Sequence, residues 1–189
     1  MSYPPLILAS ASPRRRELME KIGLPFSVTV SDCDETLPED TPADRAAELL
    51  AVRKAEAVAA AHPEALVIGA DTTVIHGDTV LGKPADREDC IRMLRLLSGD
   101  THRVQTGCAL ICGDRRRSFT AETLVTFYPL TDAEITAYAD SDEPYDKAGA
   151  YGIQGIGGLL IEGIRGDYYN VVGLPVARLA RELRKFRLP

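Results

Sequence analysis

The chain has 189 residues, 45% of them hydrophobic and 26% charged, and a formal net charge of −6. This ordinary globular composition, with its acidic excess, argues against general nucleic-acid binding, which requires a basic face that displaces counterions. No apolar run approaches the roughly 20 residues of a membrane span, and the first residues lack the basic-then-apolar pattern of a signal peptide. We therefore expect one cytoplasmic domain over residues 1–189, with a substantial core and no membrane or nucleic-acid partner.

The predicted first strand and first helix meet at a corner rich in serine and arginine. Leu6–Ala9 is an apolar run typical of a buried strand, and Ser12 and Pro13 suit the N-cap and first position of a helix. Arg14 and Arg15 then fall in the first helical turn, where the helix dipole disfavours cations. Open backbone amides next to arginines are suited to binding a phosphate. A solvated, cationic helix start is the alternative interpretation.

The second predicted helix carries a lysine on its apolar face. A strand over 26–30 and an acidic loop over 31–35 precede this helix, which Thr41 is expected to cap with Pro42 at its first position. Lys54 shares its face with an apolar stripe at helical spacing. The stripe comprises Leu50, Ala57, Val58 and Ala61. A lysine on an inward face either extends to water or contacts a buried anion, and the spacing leaves both open.

A carboxylate follows the most continuously apolar stretch of the sequence. The run over 66–70 is typical of a strand buried on both faces, and this strand is expected to end at Asp71. Ligands of open α/β sheets gather beyond the carboxyl ends of such strands, so Asp71 is a candidate site residue. The chain then turns at 76–78, forms a short strand and presents Lys83 in a tight loop before a helix over 86–97.

The remaining elements are predicted from alternation, capping signals and glycine. Strands over 102–111 and 119–128 flank a basic turn at 113–117, which we interpret as a solvated hairpin tip. A capping box at Thr131 begins a helix, and a glycine-rich loop over 146–155 lets the backbone approach a ligand closely. A strand at 159–161 and an amphipathic helix over 175–186 complete the predicted elements.

Charged side chains from these loops have the chemistry of a triphosphate site. The cations that are candidates to surround a polyanion are Arg14, Arg15, Lys54, Lys83 and Lys147. The carboxylates that could supply oxygen ligands to a hard divalent cation are Asp71 together with Asp32, Asp34 or Glu35. The sequence therefore predicts a nucleoside triphosphate site, although it contains neither the dinucleotide-binding nor the P-loop motif.

Five motifs occur in order over nearly the whole chain. They are LASASPRR (8–15), GADT (69–72), GKP (82–84), KAGAYGIQG (147–155) and GDYYNVVGLP (166–175). Together they resemble the Maf family of nucleoside triphosphate pyrophosphatases. The resemblance implies an α/β fold of the Maf and inosine-triphosphatase type, with an elongated mixed sheet flanked by helices and two lobes around a cleft. It also implies hydrolysis of a nucleoside triphosphate to the monophosphate and pyrophosphate, with Mg²⁺ or Mn²⁺, in a homodimer.

The resemblance also assigns roles to individual residues. It implies that Asp71 is the general base that activates water for attack at the α-phosphorus, and that Lys54 and Lys83 stabilise charge on the leaving pyrophosphate. The residues implied to bind substrate are Ser10, Ser12, Arg14, Arg15, Thr72, Lys147 and Gln154. Glu35 is similar to the acidic metal-site residue of the family and would hold the metal together with Asp71.

The expected base preference depends on Gln154. A side-chain amide offers an acceptor and donors side by side, which suits the uracil or thymine edge with its N3–H between two carbonyls. A carboxylate there would favour a guanine-type edge, and the family branch that prefers 7-methyl-GTP has Ser-Glu-Gly in place of residues 153–155. We therefore expect the dTTP/UTP branch, whose specificity positions Thr72 and Arg14 also resemble. A loop-bracing role for the Gln154 amide is the alternative.

Two other functions remain open on the sequence. Maf proteins are also associated with inhibition of septum formation, so a nucleotide-binding regulator of cell division without turnover is one alternative. A 7-methyl-GTP or broad-range pyrophosphatase is the other. The candidate base Asp71 and the nearby acids favour catalysis, since a nucleotide sensor requires no base.

Overall fold

The computed structural model describes residues 3–38 and 40–187 and has a mixed α/β fold. The strands are β1 (Leu6–Ala9), β2 (Phe26–Val28), β3 (Leu66–His76), β4 (Thr79–Leu81), β5 (Thr101–Cys112), β6 (Arg115–Phe127) and β7 (Ile161–Arg165). The helices are α1 (Pro13–Glu20), α2 (Ala43–Ala59), α3 (Arg87–Leu97), α4 (Asp132–Ala139), α5 (Tyr168–Val172) and α6 (Val176–Leu183). These strands form one sheet in the order β2-β1-β3-β5-β6-β7, with β4 paired to β3. The mixed sheet and its helices confirm the predicted fold class.

The described residues group into two compact units. The first unit draws on Met1–Asp71, Thr106–Ala121 and Gly173–Pro189, and the second on Thr72–Gln105 and Glu122–Val172. Each unit has its own apolar core. Within residues 3–38 and 40–187, no helix is both long enough and apolar enough to cross a membrane.

In the first unit, glycines allow helix α2 to lie very close to the sheet. β1 runs parallel to both β2 and β3, and its last residue, Ala9, is opposite Gly69. A Cβ atom added at Gly69 would lie 2.8 Å from the backbone nitrogen of Ala55, and one at Gly107 would overlap the carbonyl of Ala47. The close approach of α2 therefore requires glycine at both strand positions.

The second unit is built around larger side chains. Leu94 and Leu97 of α3 are fully buried, as is Phe127 at the end of β6. The His102 ring makes edge-on contacts with Phe127 and Tyr151, with ring centroids 5.1 and 5.4 Å apart. Burying each large apolar side chain contributes about 1.5–3 kcal/mol, so this cluster stabilises the unit.

Several element boundaries in the second unit confirm the sequence predictions. The β3–β4 turn contains Gly77 with φ +58°. Asp86 caps α3 by accepting a hydrogen bond from the Asp89 N–H at 2.8 Å. Thr131 begins α4 with the predicted capping box, in which the Glu134 side chain accepts from the Thr131 N–H at 2.7 Å.

The predicted start of α2 is wrong by one residue. Pro42 is the N-cap rather than the first helical residue. The carbonyl of Pro42 accepts a hydrogen bond from the Arg45 N–H at 2.9 Å, while the Thr41 N–H donates to Pro38 in the preceding turn. Thr41 therefore lies outside the helix, and the N-cap has no side-chain hydrogen bond.

The predicted apolar stripe on α2 is also partly wrong. Ala57 and Ala61 are exposed, whereas Ala51 and Ala55 are fully buried. The reason is the close approach to the glycines of β3 and β5, which places the smallest side chains of the helix against the sheet. Lys54 remains on the buried face.

Four strand predictions are wrong at their ends, and one of these strands is β2, which ends at Val28 rather than at residue 30. β3 does not end at Asp71 but continues to pair with β4, with Val74 opposite Leu81. The arginines at 115–117 lie at the exposed start of β6, because the turn is completed by Gly113, with φ +56°, and the residue after it. β7 begins at Ile161, after a 3₁₀ turn over Ile156–Leu160.

Candidate active site

The first unit buries a lysine next to two carboxylates. The Lys54 Nζ lies 2.6 Å from Asp71 Oδ1 and 3.1 Å from Glu35 Oε1. Lys54 is 8% exposed, whereas the side chain of Glu35 is 59% exposed. Of the two alternatives for Lys54, the structure shows contact with a partly buried anion, because a desolvated ammonium requires a close counter-charge.

The geometry of β3 and α2 places Lys54 opposite Asp71. Gly69 and Asp71 are two residues apart, so both positions face the same side of the strand. A Cβ atom at Gly69 would collide with the α2 backbone, so this side is the one that α2 covers. Lys54 lies on the buried face of α2 between Ala51 and Ala55, from which its side chain reaches the carboxylate.

Asp71 lies beyond the carboxyl end of a neighbouring strand rather than of its own. The prediction placed Asp71 after the end of β3, but β3 continues to His76. Its parallel neighbour β1 ends at Ala9, opposite Gly69. Because the two strands are parallel and in this register, the corner that follows β1 lies next to Asp71. Ligands of such sheets gather at the carboxyl ends of strands, and here that end belongs to β1.

Serine side chains organise the corner between β1 and α1. Ser12 caps α1 by accepting a hydrogen bond from the Arg15 N–H at 3.4 Å, and the Ser12 N–H donates to Ser10 Oγ at 3.2 Å. Arg15 Nε donates to the carbonyl of Gly173 at 2.9 Å. The corner therefore has the predicted N-cap and a fixed arginine at the start of the helix.

The electrostatics of Arg15 link the corner to the acidic residues. Burial lowers the pKa of Arg15, and the carboxylates of Asp71 and Glu35 act in the opposite direction. The first turn of α1 contains no acidic residue. Because the helix dipole also disfavours cations there, a bound anion would improve the electrostatic energy of this corner.

Sequence reasoning missed Arg53, which anchors the acidic loop. Its Nη1 donates to the carbonyl of Thr36 at 2.7 Å and to that of Asp34 at 3.3 Å. Within the loop, the Thr36 N–H donates to Asp34 Oδ1 at 2.8 Å, which lowers the pKa of Asp34. These contacts hold the loop that carries Glu35 near α2. The sequence signal that could have indicated Arg53 is its position directly before Lys54, as a second basic residue.

In the second unit, two of the sequence motifs meet through a backbone hydrogen bond. The Gly149 N–H donates to the carbonyl of Gly82 at 2.9 Å, which ties the glycine-rich loop to the loop that presents Lys83. Gly149 has φ +71°, and a Cβ atom there would lie 2.8 Å from Val74. Both its conformation and its surroundings therefore require glycine.

The other predicted substrate residues of the second unit differ in exposure. Lys147 is half-buried, and its Nζ donates to the carbonyl of Glu143 at 2.5 Å and to Asp146 Oδ1 at 2.6 Å. Lys83 and Gln154 are exposed, and Thr72 is half-buried. The exposed pair is therefore accessible to a ligand from solvent.

Glu143 is a second residue that sequence reasoning missed. Its carboxylate accepts hydrogen bonds from the Tyr138 hydroxyl, the Ile156 N–H and the Gly157 N–H, each at 2.9 Å. Burial by itself would raise the pKa of Glu143, but these hydrogen bonds hold it below its usual value. The donors lie between 5 and 14 positions away in the sequence, so no local pattern indicates them.

A comparison with models of known protein families shows which family this chain belongs to. The family model described as Maf-like protein matches residues 5–186, nearly the entire sequence. The chain belongs to the Maf family. The predicted family resemblance is therefore confirmed.

Curated relatives and a solved structure are also similar to this Maf protein. The dTTP/UTP pyrophosphatase of Bacillus cytotoxicus is 51% identical over 181 residues, which cover 95% of this chain and 94% of that protein. The dTTP/UTP pyrophosphatase of Bacillus anthracis is 49% identical over 183 residues, covering 97% and 96%. The Staphylococcus aureus Ham1 protein is similar with a TM-score of 0.48 and 16% identity, over 65% of this chain and 71% of that one.

The predicted site residues are distributed over both units. Those of the first unit are Ser10, Ser12, Arg14, Arg15, Glu35, Lys54 and Asp71, and those of the second are Thr72, Lys83, Lys147 and Gln154. Within the first unit, contacts join Lys54 to both acids and Arg15 to both serines. The first unit alone therefore contains two carboxylates in contact with a lysine, and an arginine held by two serines at the start of α1.

The acids of the first unit are oxygen donors of the kind that a hard divalent cation prefers. Among residues 3–38 and 40–187, no group of three or more His, Cys, Asp or Glu has the geometry to hold a metal by itself. The carboxylates of Asp71 and Glu35 share one neighbour, because the Lys54 ammonium contacts an oxygen of each. Two carboxylates are a partial ligand set, which a hard divalent cation completes with phosphate oxygens and water.

Proposed function

We propose that this Maf protein hydrolyses dTTP and UTP to the nucleoside monophosphate and pyrophosphate. The observation that carries the proposal is the enclosed contact between Asp71 and Lys54 at 2.6 Å. It occurs in a chain about half identical to dTTP/UTP pyrophosphatases. A carboxylate and a lysine near the start of α1 can supply a general base and charge stabilisation for hydrolysis of a triphosphate.

In the proposed reaction, Asp71 is the general base. Its carboxylate accepts a proton from a water molecule as the water oxygen bonds to the α-phosphorus. The bond from the α-phosphorus to the oxygen that bridges to the β-phosphate breaks, and pyrophosphate leaves with that oxygen. Lys54 and Lys83 stabilise the negative charge that accumulates on the leaving group.

The remaining site residues are proposed to bind the substrate. They are Ser10, Ser12, Arg14, Arg15, Thr72, Lys147 and Gln154. Arginine donates in a planar fork that matches phosphate oxygens, which suits Arg15 at the start of α1. The exposed amide of Gln154 offers the donor and acceptor pattern that pairs with a uracil or thymine edge.

The proposed cofactor is Mg²⁺ or Mn²⁺, held by Glu35 and Asp71. When bound, such a cation would lower the pKa of a water molecule and neutralise charge on the phosphates. Lys54 balances one of the two carboxylate charges, which leaves the acid pair with net negative charge for a cation. Arg53 keeps the Glu35 loop near this pair.

We also propose that residues 1–189 act as one Maf-like domain and that the protein is a homodimer in the cytoplasm. The Maf family model spans parts of both units, which supports one functional domain. The dimer follows from the family resemblance, and the cytoplasm is where nucleoside triphosphates are made and consumed. Light scattering after gel filtration should give twice the 20.5 kDa mass of the chain.

The test is pyrophosphate release from a panel of canonical and modified nucleoside triphosphates with Mg²⁺ or Mn²⁺. We expect dTTP and UTP to react fastest, and Asp71→Asn to abolish release. Asp78→Asn, in the exposed turn after β3, is the matched control and should leave activity unchanged. Tight nucleotide binding without turnover would favour a regulator of cell division, and fastest release from 7-methyl-GTP would overturn the proposed substrate.

A further inference from the structure

We propose that Glu143 is a positioning residue that sets the base preference of the enzyme. It does so by fixing residues 152–157, here called the recognition segment, which carries Gln154. This inference rests on the proposed function, because it assigns the control of the base-reading side chain. It adds a residue of the second unit that lies outside the KAGAYGIQG motif.

The C-terminal end of the recognition segment is tied directly to the carboxylate. The Ile156 N–H donates to Glu143 Oε2 and the Gly157 N–H donates to Glu143 Oε1, both at 2.9 Å. Each carboxylate oxygen thus holds one of two consecutive backbone amides. Such a two-point attachment fixes the direction of the backbone as well as its position.

The N-terminal end of the segment is tied to the same carboxylate through a tyrosine. The Gly152 N–H donates to the Tyr138 hydroxyl at 3.2 Å, and this hydroxyl donates to Glu143 Oε1 at 2.9 Å. Gln154 lies in the chain between the two attachment points. Its backbone position is therefore determined by one carboxylate that holds the segment at both ends.

Glycines in the segment allow this close contact. A Cβ atom at Gly155 would overlap the Glu143 carboxylate, and one at Gly152 would lie 2.6 Å from Lys147 Cε. Lys147 in turn donates to the Glu143 carbonyl at 2.5 Å. Glu143 therefore positions Lys147, a proposed substrate-binding residue, through its backbone carbonyl. It positions the recognition segment through its side chain.

The chemistry of this contact requires a carboxylate. An ionised carboxylate only accepts hydrogen bonds, whereas an amide presents two N–H donors at one end. Three donors converge on Glu143. In Glu143→Gln, the amide nitrogen faces at least one of them, so one end of the segment is released without a change in side-chain size.

The experiment measures kcat and KM of Glu143→Gln for dTTP, UTP, dCTP and dGTP, with inorganic tripolyphosphate as a competitive inhibitor. We expect KM for dTTP and UTP to rise about tenfold, and the preference over the other bases to fall about tenfold, while kcat changes little. Tripolyphosphate carries no base, so its inhibition constant should be unchanged. Tyr138→Phe, which releases the N-terminal end, should shift the same quantities in the same direction.

Asp142→Asn, at the exposed neighbouring carboxylate, is the matched control and should behave as wild type. Unchanged base preference in a folded Glu143→Gln, or an equal loss for every nucleotide and for tripolyphosphate, would overturn the inference. If the wild type does not turn over dTTP, the proposed function fails separately. The base preference of wild type and variants is then measured as dissociation constants for the same nucleotides. A weaker preference for dTTP and UTP in Glu143→Gln would support the inference, and an unchanged preference would overturn it.

Discussion

Each unit of the protein contains a carboxylate in a structured environment, and the two environments differ. In the first unit, Asp71 Oδ1 contacts the ammonium of Lys54, which also contacts Glu35. In the second unit, Glu143 accepts hydrogen bonds from two backbone N–H groups and a tyrosine hydroxyl. Asp71 therefore contacts a lysine side chain that Glu35 also contacts, whereas Glu143 is held by backbone amides and a tyrosine hydroxyl.

This difference suits the two proposed roles, a general base in the first unit and a positioning residue in the second. Hydrogen bonds from fixed donors to both oxygens keep Glu143 ionised and motionless, which suits the control of a loop. A lysine with four side-chain carbons can move as substrate, water or metal arrives, so Asp71 can change partners during a reaction. We therefore expect substitutions in the first unit to affect turnover and substitutions in the second to affect recognition and stability.

The largest expected effect is on turnover by Asp71→Asn. Removing a general base lowers kcat by about 10²–10⁴-fold, while the asparagine oxygen can still accept a hydrogen bond from Lys54. The free energy of unfolding should fall by less than in a variant that removes Lys54, since Lys54 keeps the counter-charge of Glu35. Steady-state kinetics and urea denaturation measure the two quantities. A decrease in the free energy of unfolding as large as the free-energy equivalent of the decrease in kcat would show that Asp71 has a structural role.

Lys54→Met should destabilise the fold as well as inactivate the enzyme. The substitution leaves Asp71, whose side chain is 13% exposed, without its cation. Removing one partner of such a pair typically costs about 3 kcal/mol. Lys83→Met is the matched control. Because Lys83 is exposed, this variant should have lower activity but the same free energy of unfolding as wild type. Equal urea midpoints for the two variants would contradict a stabilising role for the Lys54 contacts.

Features that depend on adjacent residues could be predicted from the sequence. Ser12 with Pro13, Asp86, and Thr131 with Glu134 are capping signals that act within three positions, and each begins a helix as expected. The continuously apolar run before Asp71 likewise indicated a buried strand correctly. Local sequence therefore predicts three helix starts and one buried strand, whereas α5, which lies in the GDYYNVVGLP motif, is not among the predicted elements.

Features that depend on distant partners could not be predicted. β3 continues beyond Asp71 because its second half pairs with β4. The sequence predicts the turn at 76–78 and the short strand after it, but not that Asp71 lies inside one continuous strand. The side-chain direction of Lys54 depends on the glycine of β3 beneath α2. The donors to Glu143 come from a tyrosine on α4 and two loop amides, so its role became visible only in the folded chain.

The second unit should show a pH dependence of stability that originates in His102. His102 is 1% exposed, and burial lowers its pKa to about 4, with the charge of His76 acting in the same direction. Its Nε2 lies 2.7 Å from the Tyr151 hydroxyl. Between pH 6.5 and 4 the unfolded chain binds a proton at this residue that the folded chain does not, so the free energy of unfolding falls as pH falls.

The expected loss attributable to His102 is about 2 kcal/mol between pH 7 and pH 4.5. Urea denaturation at both pH values measures it, with His102→Gln as the comparison. Carboxylates that titrate in this range contribute equally to both proteins, so the difference in slope isolates the histidine. Identical slopes would show that His102 has the same pKa in the folded and unfolded chains, contrary to the effect expected from its burial.

The smallest expected effects concern the helix caps, and they compare the two units most directly. Thr131→Ala removes a reciprocal capping box on α4 and should cost about 1 kcal/mol of stability, with unchanged kinetics. Ser12→Ala removes a single, longer hydrogen bond of 3.4 Å on α1 and should cost less. It should nevertheless raise KM, because the same serine orients the start of α1 next to Arg15. Kinetic equivalence of the two variants would mean that the α1 corner caps a helix and does not bind phosphate.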